Sequence, residues 1–265
     1  MALNFNYEFI NNEQTQSIIL LHGFLSSKES MRELAEDLSD LRNVFLVDLP
    51  GFGKTMSTDS SYTMTDIAGG LVRLAADHGV HQFDVLGYSM GGRTALALTA
   101  VFHRHINKCI LESASPGISD EVKKAERLEI DKARSELMIS DYTEFLKFWQ
   151  GMPLFDSQHR VSAADLSEQH ANRLAQIPAE AADSLLKYGT GVQPSYWDAL
   201  MHLENDFYLL AGEDDKKFVA LAQTMSERLK NAKLDIVESA GHNVHLENYN
   251  TYIQRVREYL KEENS

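Results

Sequence analysis

The chain is short of cysteine, of positive charge and of long apolar runs, and each shortage removes a class of function. One cysteine in 265 residues cannot close an internal disulfide. Cys109 also sits in the apolar run Cys109-Ile110-Leu111, where it reads as a small buried hydrophobe and not as a reactive thiol. Lys and Arg number 25 against 39 Asp and Glu, a net charge of −14, so nucleic acid would be repelled and is excluded as a partner. No apolar stretch is long enough to span a bilayer, which excludes a membrane-embedded protein. The N-terminus has no basic region followed by an apolar segment, so it does not read as a signal peptide, and a cytoplasmic location is the default. No His/Cys cluster has metal-ligand spacing, and the pair Glu36-Asp37 reads as a solvated face, so no metal is expected.

What is present is an alternation of short apolar runs with helix-period segments. Strands are expected at Ile18–Leu21, Val44–Asp48, Phe83–Leu86, Cys109–Glu112, Phe207–Ala211 and Leu234–Val237. Their nearly continuous apolar character suits a parallel sheet covered on both faces. Between them, Met31, Leu34, Ala35, Leu38 and Leu41 recur at helical spacing over Ser30–Leu41, and Thr63-x-x-Asp66 has the form of a capping box. From Pro116 to Ser195 the rhythm changes. Helical patterning runs over Glu121–Leu137, Tyr142–Trp149, Asp165–Gln176 and Ala179–Lys187, with no convincing strand. The expected organisation is therefore an α/β core of residues 1–115 and 196–265, a mostly parallel sheet flanked by helices, with residues 116–195 inserted as a helical cap.

The chemistry centres on Gly87-Tyr88-Ser89-Met90-Gly91, a Gly-x-Ser-x-Gly string with a strand before it and the helix-forming Thr94–Val101 after it. A serine on so sharp a strand-to-helix turn needs small neighbours two places either side. An acid and then a histidine should follow in the chain, and they do. The strand Phe207–Ala211 runs into Gly212-Glu213-Asp214-Asp215, and Leu234–Val237 runs towards Gly241-His242. Ser89, Asp215 and His242 are the candidate catalytic residues; the Gly-x-x-Asp spacing favours Asp215 over its competitor Asp214. Candidate oxyanion donors are the backbone N–H groups of Phe24, in Leu20-Leu21-His22-Gly23-Phe24, and of Met90. His22 reads as a structural turn residue and His245 as a packing or supporting one. Gly51-Phe52-Gly53-Lys54-Thr55 looks like the end of a phosphate-binding loop, but position 48, where that motif needs Gly, is Asp.

Beyond the general α/β-hydrolase signature, several strings resemble the 2-succinyl-6-hydroxy-2,4-cyclohexadiene-1-carboxylate (SHCHC) synthases of menaquinone biosynthesis. They are Gly87–Arg93, Glu112–Gly117, Ala125-Glu126-Arg127, Phe148-Trp149 with Pro153-Leu154-Phe155, Gly191–Pro194, Gly212–Phe218 and Gly241–Glu247. The resemblance implies an α/β-hydrolase fold and a lyase that eliminates pyruvate from a cyclohexene carrying three carboxylates, with no cofactor. It also implies anion-binding roles for Arg93, Arg127 and Arg173, with Tyr88 and Trp149 lining the pocket. Guanidinium groups suit carboxylates because they bind them bidentately. The competing expectation is a cytoplasmic serine hydrolase, a carboxylesterase or a carbon–carbon bond hydrolase, in which Ser89 attacks covalently. A neutral ester has no need of three pocket cations, so the arginines are the discriminator.

Overall fold

Along the central strands, successive side chains enter two different apolar layers. Ile19, Leu21, Phe45, Val47, Val85, Cys109, Leu111, Phe207 and Leu209 face one layer, while Ile18, Leu20, Val44, Leu46, Leu86, Ile110, Tyr208 and Leu210 face the other. A strand buried on both faces has no polar side to show, which is why these runs read as continuously apolar. The computed structural model describes residues 3–57 and 62–262. Met1 and Ala2, part of the stretch read for a targeting segment, lie outside them.

Seven strands form one sheet in the order β1-β3-β2-β4-β5-β6-β7. β2 (Ser17–Leu21), β3 (Asn43–Val47), β4 (Phe83–Tyr88), β5 (Ile106–Glu112), β6 (Asp206–Gly212) and β7 (Asn231–Val237) run parallel. The sequence reading missed β1 (Tyr7–Ile10), an edge strand paired antiparallel to β3 from Tyr7 opposite Val47 to Ile10 opposite Val44. Four residues between asparagines, Tyr7 exposed and the other three half-buried, carry too little periodicity to announce a strand.

One face of the sheet is covered by α1 (Arg32–Leu38) and the C-terminal α10 (Tyr249–Lys261). α2 (Met64–Ala76) and α3 (Met90–Phe102) cover the other. The helix expected over Ser30–Leu41 is shorter: a 3-10 turn at Lys28–Met31 precedes α1, which stops at Leu38. The capping box forms as expected, with the Asp66 N–H donating to Thr63 Oγ1 at 3.3 Å and the Thr63 N–H donating to Asp66 Oδ2 at 2.9 Å. The phosphate-loop lookalike is a closed turn: the Gly51 N–H donates to the Thr55 carbonyl, and Asp48 accepts from the Lys54 N–H at 3.0 Å.

Between β5 and β6 the chain runs through α4 (Glu121–Ser140), α5 (Tyr142–Gln150), a 3-10 segment at Pro153–Arg160, α6 (Ala163–Leu174) and α7 (Pro178–Tyr188), with no strand among the described residues. α6 begins and ends two residues earlier than expected, because Ser162 caps it by accepting from the Asp165 N–H. Met138, Phe145, Leu146, Ala182, Leu185 and Tyr188 from this segment join the same apolar layer as α2 and α3. The two ends of the segment are stitched together where it leaves and rejoins the core. The Tyr196 N–H donates to the Pro116 carbonyl at 2.8 Å, and Trp197 Nε1–H to the Gly117 carbonyl at 3.0 Å. Gly117 takes φ +96° there, a conformation that favours glycine. After β6 comes α8 (Lys216–Ser226), and after β7 the short α9 (Val244–Glu247).

Candidate active site

Parallel strands deliver their C-terminal ends to one edge of the sheet, and that edge carries the site. β4 ends in Gly87-Tyr88, the chain reverses at Ser89, and α3 starts at Met90. Ser89 has φ +51° and ψ −105°, a backbone state costing about 1–3 kcal/mol that surrounding contacts must hold. Its N–H donates to the Glu112 carbonyl at 2.8 Å, and the Arg93 N–H donates to the Ser89 carbonyl at 2.9 Å. A Cβ on Gly87 would collide with the Gly91 carbonyl, and one on Gly91 with the Leu21 carbonyl, so the turn is closed to larger residues at both glycines.

Asp215 caps α8, with Oδ1 accepting the Phe218 N–H at 3.2 Å. Its Oδ2 lies 2.7 Å from His242 Nδ1, and His242 Nε2 lies 2.9 Å from Ser89 Oγ. A carboxylate only accepts, so Nδ1 carries the proton. In the neutral ring Nε2 is therefore free to accept from the Ser89 hydroxyl. Asp215 and His242 are both buried. Asp214, the competitor, is exposed and ion-paired with Arg160. His22 is indeed a turn residue: Nδ1 donates to the Gly23 carbonyl at 2.7 Å and Nε2 accepts the Leu49 N–H at 3.0 Å. Burial pulls its pKa down, against the nearby Asp48, and keeps the ring neutral. His245 Nδ1 sits 2.8 Å from the fully buried carboxylate of Glu112, and its ring packs edge-on against Tyr88.

A cleft of about 750 Å³ opens over Ser89 and His242, and Phe24, Tyr88, Met90, Arg93, Arg127, Trp149 and Arg173 all reach it. Every site residue expected from sequence is thus gathered here, with Asp215 behind His242. Among the described residues no hydrogen bond engages the Phe24 or Met90 N–H, which leaves both amides available beside Ser89. Tyr88 is held neutral: burial, reinforced by Glu112, raises its phenol well above 10 against the pull of Arg173.

The arginines fall into two groups. Arg93 donates through Nη1 to the Tyr188 carbonyl at 3.2 Å and to the Gln193 side chain. Burial, with the like charge of Arg127, lowers its pKa to about 10. Arg127 Nε pairs with the fully buried Asp131 at 2.8 Å. Arg173 stands apart on α6, 7% exposed, with its guanidinium 5.0 Å from the Phe155 ring and no carboxylate partner among the described residues. Burial lowers its pKa, opposed by Tyr88 and Tyr142. Sequence reasoning missed Arg134, Phe155, Lys217 and Phe218 as cleft residues. Arg134 was findable, since Arg127, Asp131 and Arg134 recur at helical i, i+4, i+7 spacing on α4 and share its face.

Among the described residues no group of three His, Cys, Asp or Glu side chains could hold a metal ion, and no helix is long and apolar enough to cross a membrane.

A strained serine between a parallel strand and a helix, hydrogen-bonded to histidine and acid at the same sheet edge, defines an α/β-hydrolase. The sequence model described as the alpha/beta hydrolase fold matches residues 16–249, and the chain belongs to that family. Within it, the putative SHCHC synthase of Bacillus subtilis (strain 168) is 31% identical over 249 residues, 93% of this chain and 90% of that protein. The SHCHC synthase of Serratia proteamaculans (strain 568) is 28% identical over 250 residues, 92% of each chain. The structure of MenH from S. aureus matches with a TM-score of 0.92 at 33% identity, covering 98% of both chains. The chain therefore belongs to the SHCHC synthase family. A thermophilic esterase from Thermogutta terrifontis matches at a TM-score of 0.88 but 21% identity, over 99% of this chain and 95% of the esterase, and shares the fold.

Proposed function

We propose that this chain is a cytoplasmic carbon–oxygen lyase of menaquinone biosynthesis. It eliminates pyruvate from 2-succinyl-5-enolpyruvyl-6-hydroxy-3-cyclohexene-1-carboxylate to give SHCHC, and Ser89, His242 and Asp215 act as a catalytic triad. The observation that carries the reading is the placement of Arg93, Arg127 and Arg173 around the cleft that opens on Ser89 and His242. A substrate with three carboxylates needs such fixed cations, and an ordinary ester does not.

The chemistry follows from the substrate. The ring carbon bearing the succinyl ketone carries an acidic proton. Ser89 Oγ, its own proton drawn towards His242 Nε2, takes that proton, and Asp215 steadies the imidazolium that forms. The ketone oxygen becomes enolate-like, and the N–H groups of Phe24 and Met90 are the donors for that charge. The electron pair then passes through the ring double bond, and the C–O bond to the enolpyruvyl group breaks. A conjugated diene remains on the ring. The departing enolpyruvate takes up a proton on carbon and becomes pyruvate. No bond from carbon to Ser89 forms in this route.

The test is incubation of the protein with the enolpyruvyl cyclohexene, following pyruvate by a coupled dehydrogenase and the diene by ultraviolet absorbance. Both signals should rise in step and in equal amounts. Turnover of simple nitrophenyl esters, with no pyruvate above the uncatalysed background, would replace the lyase reading with the serine hydrolase.

A further inference from the structure

Arg134 lies on α4 one turn beyond Asp131 and lines the same cleft, yet its guanidinium is poorly satisfied within the protein. The nearest carboxylate oxygen, Asp131 Oδ1, is 3.7 Å from Nη1, beyond hydrogen-bond distance. That oxygen is already engaged by Arg127 Nε at 2.8 Å, and the other accepts the Gly191 N–H at 3.2 Å. Nη2 meets only the Met152 sulfur, at 3.9 Å, and Nε is buried with no hydrogen-bond partner. The flat group is instead held by rings, 5.6 Å from Trp149 and 5.9 Å from Phe148. Burial and the charge of Arg127 both oppose its protonation, and Asp131 favours it. A buried cation in this position is costly unless something negative completes it.

We infer that Arg134 is a substrate-binding residue: with Arg127 it forms a carboxylate subsite on α4, and Trp149 holds its guanidinium in place. The charges support this. Arg93, Arg127, Arg134 and Arg173 all line the cleft, and the buried Asp131 is engaged by Arg127, which leaves Arg134 with no carboxylate within hydrogen-bond distance. A carboxylate of the substrate would supply the missing partner. The inference deepens the lyase reading and takes its substrate class from it, but a binding measurement tests it independently of turnover.

The measurement uses the full chain and propane-1,2,3-tricarboxylate as a non-reacting probe, titrated calorimetrically against wild type, Arg134→Gln and Arg134→Lys at low and moderate salt. Arg134→Gln should weaken binding about tenfold and flatten the salt dependence, because one charge contact is gone. Arg134→Lys should recover part of the affinity while keeping the full salt dependence. In the turnover assay Arg134→Gln should raise KM about tenfold with kcat changed less than threefold. Equal probe affinity in wild type and Arg134→Gln, at unchanged circular dichroism, would overturn the subsite, as would a wild type that does not bind the probe. If Arg134→Gln does not fold, the lysine variant decides: a partial loss of affinity with the salt dependence kept and the fold intact supports the subsite, and affinity equal to wild type refutes it. Tight probe binding without pyruvate release would leave the subsite standing and remove the lyase reading alone.

Discussion

The turn at Ser89 and the arginine wall above it are built on opposite plans. The turn is contiguous: strand, glycine, strained serine and helix start all lie within residues 83–93, fixed by backbone hydrogen bonds and by glycines packed against carbonyls. The wall is assembled from three separate helices, α3, α4 and α6, and its cations, Arg173 buried and the others half-buried, have few or no carboxylate partners. On the proposed reading, chemistry is encoded locally and held rigid, while recognition is dispersed over several helices. The two regions should respond differently to the same kind of change.

The largest expected effect lies in the turn. Ser89→Ala and His242→Ala should each lower kcat by about 10³-fold, and the double variant little further, because the residues act as one unit. KM should change little, and folding, followed by circular dichroism, should be unaltered. Additive losses would break the picture of a single relay. Next comes Gly91→Ala, whose Cβ would meet the Leu21 carbonyl and force β2 and α3 apart. A loss of about 3 kcal/mol in urea unfolding is expected, with activity falling alongside stability.

In the wall the same comparison inverts. Arg173→Met removes a buried cation with no carboxylate partner among the described residues, so the thermal midpoint should hold or rise by about 2–4 °C while kcat/KM drops about 30-fold. A fall in both would mean that the guanidinium has a structural role. The smallest effect is a pH limb. Arg93 is a cation below about 10 and loses its charge above it, so substrate affinity should decline as pH climbs through that value. A kcat/KM profile of wild type against Arg93→Ala checks this, since the limb should vanish in the variant.

The difference in plan also explains what could be read from the sequence. β2 to β6 were legible because each is buried on both faces, and the half-buried edge strand β7 by its apolar Leu234–Val237; Ser89, Asp215 and His242 were legible because each follows a strand at a motif with fixed spacing. Asp214 and Asp215 were separated by spacing alone, and the structure gives the physical reason: Asp215 turns inward to cap α8 while Asp214 meets Arg160 in solvent. β1 escaped because four residues, one exposed and three half-buried, are too few to show a period. Arg134 escaped because a charged side chain on an otherwise polar helix looks like surface until α5 and its Trp149 are folded over it. Arg127 and Arg173 were candidates as arginines on the expected cap helices, and only the family resemblance gave them anion-binding roles.

The stitched ends of the segment between β5 and β6 carry a consequence for how such a protein can change over generations. Because Tyr196 is bonded to Pro116 and Trp197 to Gly117, the core experiences some 80 intervening residues, 116–195, as one closed loop. Doubling the length of such a loop costs only about 0.6 kcal/mol in closure entropy. The solvent-facing parts of the excursion could be lengthened, trimmed or regrafted while the sheet edge stays as it is, provided that the side chains completing the core layer, Phe145, Leu146, Leu185 and Tyr188 among them, are kept. New substrates would then arise by rewriting what hangs between two fixed anchor points, with the proton-transfer machinery inherited unchanged.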